Sequence, residues 1–151
     1  GTTVVATSLH SGTTTNTVPE KAILDIDARS FSYAELERID GAIKSLRGVH
    51  PEVKVEIRGG INRPPMEPAS AAELYERAVK VAAALGMPAL GSAQVGGASD
   101  GNIAAAAGAK VLDGLGAVGA GAHAHNEWIS VSALEERSRF LHAFLKDLLH
   151  G

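Results

Sequence analysis

The 151 residues suffice for one ordinary domain or parts of two small ones, and 45% hydrophobic with 21% charged residues mark a soluble globular composition able to bury a core. A formal charge of −3 without a basic block argues against a nucleic-acid partner, and no apolar run reaches the ~20 residues of a membrane span. The absence of cysteine excludes disulfides and thiolate metal sites and fits a cytoplasmic location.

Aromatic residues are only 4% of the chain, so Ala, Val, Leu and Ile are expected to fill the core. The chain opens on Gly1-Thr2-Thr3-Val4-Val5 with no initiator Met, which reads as a fragment or a processed product beginning inside a strand. Residues 3–9 and 22–29 read as strands around a Thr/Gly/Asn/Pro loop. In the second, Ala22, Leu24, Ile26 and Ala28 alternate with Ile23, Asp25, Asp27 and Arg29, as in a sheet with one wet face. Ser32 to Glu35 matches a capping box that opens a helix with Leu36, Ile39, Ile43 and Leu46 inward and Gly48 as its stop. Val53, Val55 and Ile57 alternate with charged residues as a third strand, giving ββαβ with antiparallel packing.

Residues 59–69 contain three prolines, which fix φ and remove donors, and a domain boundary is placed there, dividing 1–62 from 63–151. A second capping box, Ser70 to Glu73, opens a helix with Leu74, Ala78, Val81, Ala82 and Leu85 inward, closed by Gly86 and Pro88. A short strand near 89–95 leads to a glycine turn, and Ser99 or Asp100 caps a small helix over 102–107 that Gly108 ends. Val111-Leu112 reads as a buried strand. A third capping box, Ser132 to Glu135, opens the last helix with Leu134, Leu141, Leu145 and Leu148 inward. This second part alternates β and α, the signature of an α/β layer.

Chemistry concentrates late in the chain. If residues 121–127 were a strand, His123, His125 and Glu127 at spacing two would share a face and form a metal set. The flanking Ala117, Gly119, Ala120, Gly121 and Ala122 argue against a straight strand, in which case one histidine faces a site and the others lie on its rim. Asp100 follows two glycines; it is either a plain N-cap or a residue that orients a ligand or a metal-bound histidine. The glycines favour the second, since a cap alone needs no close backbone approach. Phosphate binding is disfavoured, because the turn lacks a P-loop Lys and the GxGxxG spacing and carries an Asp at its mouth. Arg63, in a Pro-stiffened loop, suits bidentate grip of a carboxylate. Asn16 and Arg29 are expected near one end of the first two strands, although Asp25 and Asp27 also offer Arg29 a surface ion pair. Trp128 reads as core or pocket wall, and His10, His50, His142 and His150 as surface residues.

The run Gly-Gly-Ala-Ser-Asp-Gly-Asn, Val-Leu-Asp-Gly-Leu-Gly, Gly-Ala-His-Ala-His-Asn-Glu-Trp and Leu-Glu-Glu-Arg resembles the end of the M20 zinc metallopeptidases, the group of glutamate carboxypeptidases, acetylornithine deacetylases and succinyl-diaminopimelate desuccinylases. Earlier, Gly-Thr-Thr-Thr-Asn-Thr-Val-Pro, Asp-Ala-Arg and Asn-Arg-Pro-Pro resemble the second half of that family's lid, or dimerisation, domain. The resemblance runs in order over nearly the whole chain. It implies an α/β fold with an α+β part: the ββαβ second half of a lid in 1–62, then the C-terminal part of a zinc-aminopeptidase-like catalytic domain in 63–151. It implies that His123 is the last zinc ligand. Arg63 would grip the substrate's terminal carboxylate, Gly97, Ala98, Ser99 and Asp100 would wall the pocket, and Asn16 and Arg29 would line the substrate site, reaching into the partner subunit of a homodimer. Asn-Arg-Pro-Pro-Met-Glu points to the carboxypeptidase branch.

The family's His-x-Asp motif, its bridging Asp and the Glu-Glu pair with the general base belong N-terminal to these residues, as do a lid histidine and the lid's first strand and helix. The expectation is therefore the C-terminal segment of a two-zinc hydrolase of amide bonds next to an amino-acid carboxylate. It would hold no general base of its own, be inactive alone, and be prone to aggregate, dimerise or require its N-terminal partner. The alternative is a non-catalytic dimerisation and carboxylate-binding module.

Overall fold

A computed structural model describes residues 1–150 as a small mixed α/β chain with four helices and two small sheets. Two compact units divide it: Gly1–Glu67 with Gln94–Ala106, and Pro68–Ala93 with the residues from Ala107 onward.

In the first unit β1 (Thr3–Ser11) pairs antiparallel with β2 (Ala22–Arg29), in a register running from Thr3 opposite Arg29 to Ser11 opposite Ala22. A bulge between Ala6 and Ser8 leaves Thr7 extra, and its hydroxyl donates to the Asp25 carbonyl at 3.2 Å. Helix α1 (Tyr33–Lys44) buries Leu36 and Ile39, as their spacing predicts, while Leu46 is half exposed. Ser32 occupies the N-cap, yet its side chain makes no capping bond. Glu35 turns to Arg38 instead of back to Ser32, and the entering amides go to Ser30 Oγ (3.2 Å, from Ser32 N–H) and Glu67 Oε1 (3.0 Å, from Tyr33 N–H). The helix ends at Ser45 rather than Gly48.

The third expected strand does not form. Val53, Val55 and Ile57 alternate correctly but join no ladder, and β1 and β2 remain a two-stranded sheet. Alternation supplies a face; only a neighbouring strand supplies hydrogen-bond partners. The first unit is thus ββα, completed by α3 (Asp100–Ala106).

The second unit is built on α2 (Pro68–Ala84) and α4 (Val131–His150). Helix α2 starts two residues before the expected capping box, on a proline whose missing N–H is harmless at a first position. It ends in a Schellman motif: Gly86 (φ +71°) donates to Ala83 O at 3.0 Å and Met87 to Ala82 O at 3.0 Å. Helix α4 is capped by Ser130, whose Oγ accepts the Ala133 N–H at 3.3 Å, not by Ser132.

The core departs from the aliphatic expectation. Phe140 and Phe144 of α4 are buried with Ala78 and Ala82 of α2, their rings stacked 5.9 Å apart, and Leu74, Val81, Leu85 and Leu148 pack around them. Alanines on α2 leave room for rings on α4, so the two phenylalanines do what many smaller side chains would do in their absence. The inward stripe of α4 is accordingly rotated from the leucines: Leu134 and Leu145 are exposed. The runs 89–95 and 111–112 are not strands either. Their backbone is held by α2 residues, Tyr75 Oη donating to Leu90 O at 2.7 Å and Val111 N–H donating to Ser70 O at 3.0 Å. Among the described residues the one ladder in this unit is a two-residue hairpin, β3 (Gly119–Ala120) with β4 (Trp128–Ile129). Trp128 on β4 is half exposed rather than core. Among the described residues no helix is long and apolar enough to cross a membrane.

Candidate functional site

The glycine turn ends in a reciprocal cap. Ser99 Oγ accepts the Gly101 N–H at 3.1 Å, while Asn102 Oδ1 reaches back to accept the Ser99 N–H at 2.9 Å. Asn102 stands where a capping box normally has Glu or Gln. Ser99 is therefore the N-cap of α3, and Asp100, in its first turn, is released from that duty and almost fully exposed. A carboxylate in the first turn of a helix is favoured by the amides there.

The Pro-stiffened loop meets this turn. Asn102 Nδ2 donates to the Pro64 carbonyl at 2.8 Å, and Arg63 Nη2 stands 3.8 Å from Asp100 Oδ1. That separation exceeds hydrogen-bond length, so the donors of the guanidinium fork are not consumed by Asp100. Arg63's side chain is 40% exposed and open to a ligand. Arg29 is committed differently: Nε pairs with Asp27 Oδ2 at 2.7 Å and Nη1 donates to the Gly96 carbonyl at 3.2 Å, tying the end of β2 to the start of the glycine turn. Both alternatives for Arg29 hold at once, an ion pair with a neighbouring Asp and a place beside the site.

Asn16 is elsewhere. Arg29 lies opposite Thr3 at the open end of the hairpin, while Asn16 lies in the loop beyond Ser11 and Ala22. Eight residues of strand at ~3.4 Å each put roughly 25 Å between those levels, so the two do not share one end. An open concavity in that loop is lined by residues including Gly12, Thr13, Thr17 and Lys21, and Asn16 is not among them.

In the second unit the β3–β4 connection is two successive turns, closed by Ala124 N–H to Gly121 O at 2.8 Å and Glu127 N–H to Ala124 O at 3.1 Å. The strand that would align His123, His125 and Glu127 is absent, and among the described residues no three His, Asp or Glu side chains form a group that could hold a metal. His123 is nevertheless singular: at φ +67° it is the one non-glycine among the described residues with positive φ. It occupies the third position of the Gly121–Ala124 turn, where Gly or Asn is the usual solution. One imidazole does not make a zinc site of about four ligands. No chemical step can be assigned to a metal on these residues alone.

The family model for peptidase family M20/M25/M40 matches residues 3–147. The chain belongs to this family. Comparison with curated proteins and with solved structures returns no match. Family membership supports a hydrolase of the peptidase or amidohydrolase kind, from a family that is generally metal-dependent.

On this M20 chain the structure brings Arg29, Arg63, Ala98, Ser99 and Asp100 into one unit, with Arg29 and Arg63 each joined to the 96–102 segment, and leaves Asn16 at the far end of the hairpin. His123 belongs to the other unit. Two contributors carried no role in the sequence. Asn102 fastens the arginine loop to the glycine turn. Arg137 of α4 donates from Nε to Gly116 O at 3.0 Å and from Nη2 to Gly114 O at 2.6 Å, holding the loop that leads into β3. Its guanidinium also lies 5.9 Å from the Phe140 ring centre. Both residues sit inside quoted motifs, but their acceptors are backbone carbonyls distant in sequence, which no motif announces.

Proposed function

We propose that these residues act as the C-terminal portion of a zinc-dependent M20-type carboxypeptidase or amidohydrolase that cleaves an amide next to an amino-acid carboxylate. In this reading 1–62 is part of a lid and 63–151 part of the catalytic domain. The observation that carries it is the Arg63 guanidinium, half exposed beside the Ser99–Asn102 cap with its fork available. A planar fork on a proline-fixed loop recognises a carboxylate in one orientation. Ala98 and Ser99 wall the pocket and Arg29 holds the Gly96 carbonyl in place. Asp100 balances the Arg63 charge until a substrate carboxylate arrives. His123 is proposed as one residue that would hold zinc in the intact enzyme, where the metal would supply Lewis-acid chemistry, the remaining ligands and the general base lying outside this sequence. Asn16, distant from Arg29, is assigned to the active site of the partner subunit in a homodimer.

The test is the protein isolated from its source without protease exposure, assayed on N-acetyl-L-glutamate with its mass and metal content measured. Hydrolysis, a mass above 15.5 kDa and about two zinc ions per chain are expected. A mass of 15.5 kDa with no metal and no hydrolysis would leave the carboxylate-binding module instead. Arg63→Met should raise KM at least tenfold, on the order expected for losing a bidentate charged pair.

A further inference from the structure

We infer that Asn102 is a positioning residue that sets the carboxylate preference of Arg63, an inference that rests on the carboxylate-anchor reading above. Arg63 is followed by Pro64 and Pro65, which have no N–H, so the loop cannot be fixed there through backbone donors. It is fixed through an acceptor, the Pro64 carbonyl, which takes the Asn102 Nδ2 hydrogen at 2.8 Å. The other half of the same amide takes the Ser99 N–H at 2.9 Å.

The chemistry admits only one orientation. Ser99 N–H is a donor and must meet Oδ1; Pro64 O is an acceptor and must meet Nδ2. Asn102 is half buried, so neither bond is readily replaced by water. One planar group thus couples the helix cap to the peptide that follows Arg63, across 38 residues of sequence. A side chain lacking the donor leaves the Pro64 carbonyl unheld and lets the guanidinium swing away from the position fixed by the cap. Asn102 touches no substrate in this arrangement; it acts through Arg63.

The experiment compares binding of N-acetyl-L-glutamate with that of its α-carboxamide to the full-length protein, stripped of metal by a chelator so that neither probe is hydrolysed, by NMR shift titration. Asn102→Ala removes both bonds; Asn102→Asp keeps the acceptor for Ser99, and with it the cap, while losing the donor. Both should lower the carboxylate-to-carboxamide affinity ratio about tenfold, the scale of a misplaced charge-assisted pair, and in an Arg63→Met background neither should lower it further. Equal losses for the two probes would mean a merely structural role and overturn the inference. So would a further drop in the ratio on Arg63→Met, because the added charge of Asp would then act without Arg63. Should Arg63→Met itself keep the wild-type ratio, the anchor reading fails; should Arg63→Met lose it and both Asn102 variants keep it, only the inference about Asn102 fails.

Discussion

The second unit adds a packed core to its polar bonds, with Phe140 and Phe144 buried against Ala78 and Ala82, whereas the first buries only Leu36 and Ile39 and otherwise depends on a two-stranded ladder and polar bonds. The difference bears on function. Arg29, Arg63, Ser99 and Asp100 sit in the polar-stapled unit, where a few hydrogen bonds to backbone determine where the charges stand. A core tolerates small changes by relaxing; a staple is either made or lost. The largest effect should come from the packed side: Phe140→Ala removes a fully buried ring and should destabilise α2 and α4 by about 3–5 kcal/mol. Amide exchange in those helices reads it out, and a loss under 1 kcal/mol would break the contrast.

On the stapled side, Ser99→Ala deletes the acceptor for the Gly101 N–H and should weaken α3 by about 1 kcal/mol. The sharper signature is local: faster amide exchange at Gly101 and Asn102 with α1 unaffected. If α1 loosened equally, the staple would be part of a cooperative core and the two units would not differ in kind.

His123 tests whether strain is kept for a purpose. An L-residue in the left-handed region is disfavoured by about 1–2 kcal/mol relative to glycine, so His123→Gly should raise stability by up to about 1 kcal/mol. On the proposed reading the same change lowers zinc content in the intact enzyme. A stability gain without loss of zinc would remove His123 from the site; a stability loss would mean the turn geometry is not strained.

What the sequence disclosed follows from where its partners lie. The β1–β2 hairpin, α1 and the Gly86 stop were legible because alternation, periodicity and a cap are local signals. Val53–Ile57 and Val111–Leu112 misled for the same reason: a β pattern states which face is apolar and says nothing of whether a strand stands alongside. Helix α4 carries two apolar stripes, and only the alanines of α2 decide that Phe140 and Phe144, not Leu134 and Leu145, turn inward. For the site, Arg63, Ser99 and Asp100 were named from motifs and are found joined to one segment. The separation of Asn16 from Arg29 required the strand register, and Asn102 required knowing that Pro64 lies within reach of its amide.

The smallest expected effect concerns charge. Lys110 donates to the Glu73 carboxylate in the packed unit and Arg38 to Glu35 in the stapled one, and each cation holds its carboxyl below the ordinary value of 4.5, chiefly through the hydrogen bond. A lowered folded pKa means the unfolded chain binds the proton more readily. The stabilisation is therefore complete above the unfolded pKa and lost as pH falls through the lowered folded one, so stability should rise with pH across the interval below 4.5. All four groups are exposed, so salt should erode the effect. The two pairs differ in reach, since Arg38 and Glu35 lie three residues apart on one helix while Lys110 and Glu73 are 37 apart. Lys110→Met should flatten the acid limb of the thermal-midpoint curve for the α2–α4 unit, and Arg38→Met should alter only fraying of α1. An unchanged acid limb in Lys110→Met would show that Lys110 does not alter the proton affinity of Glu73 between the folded and the unfolded chain.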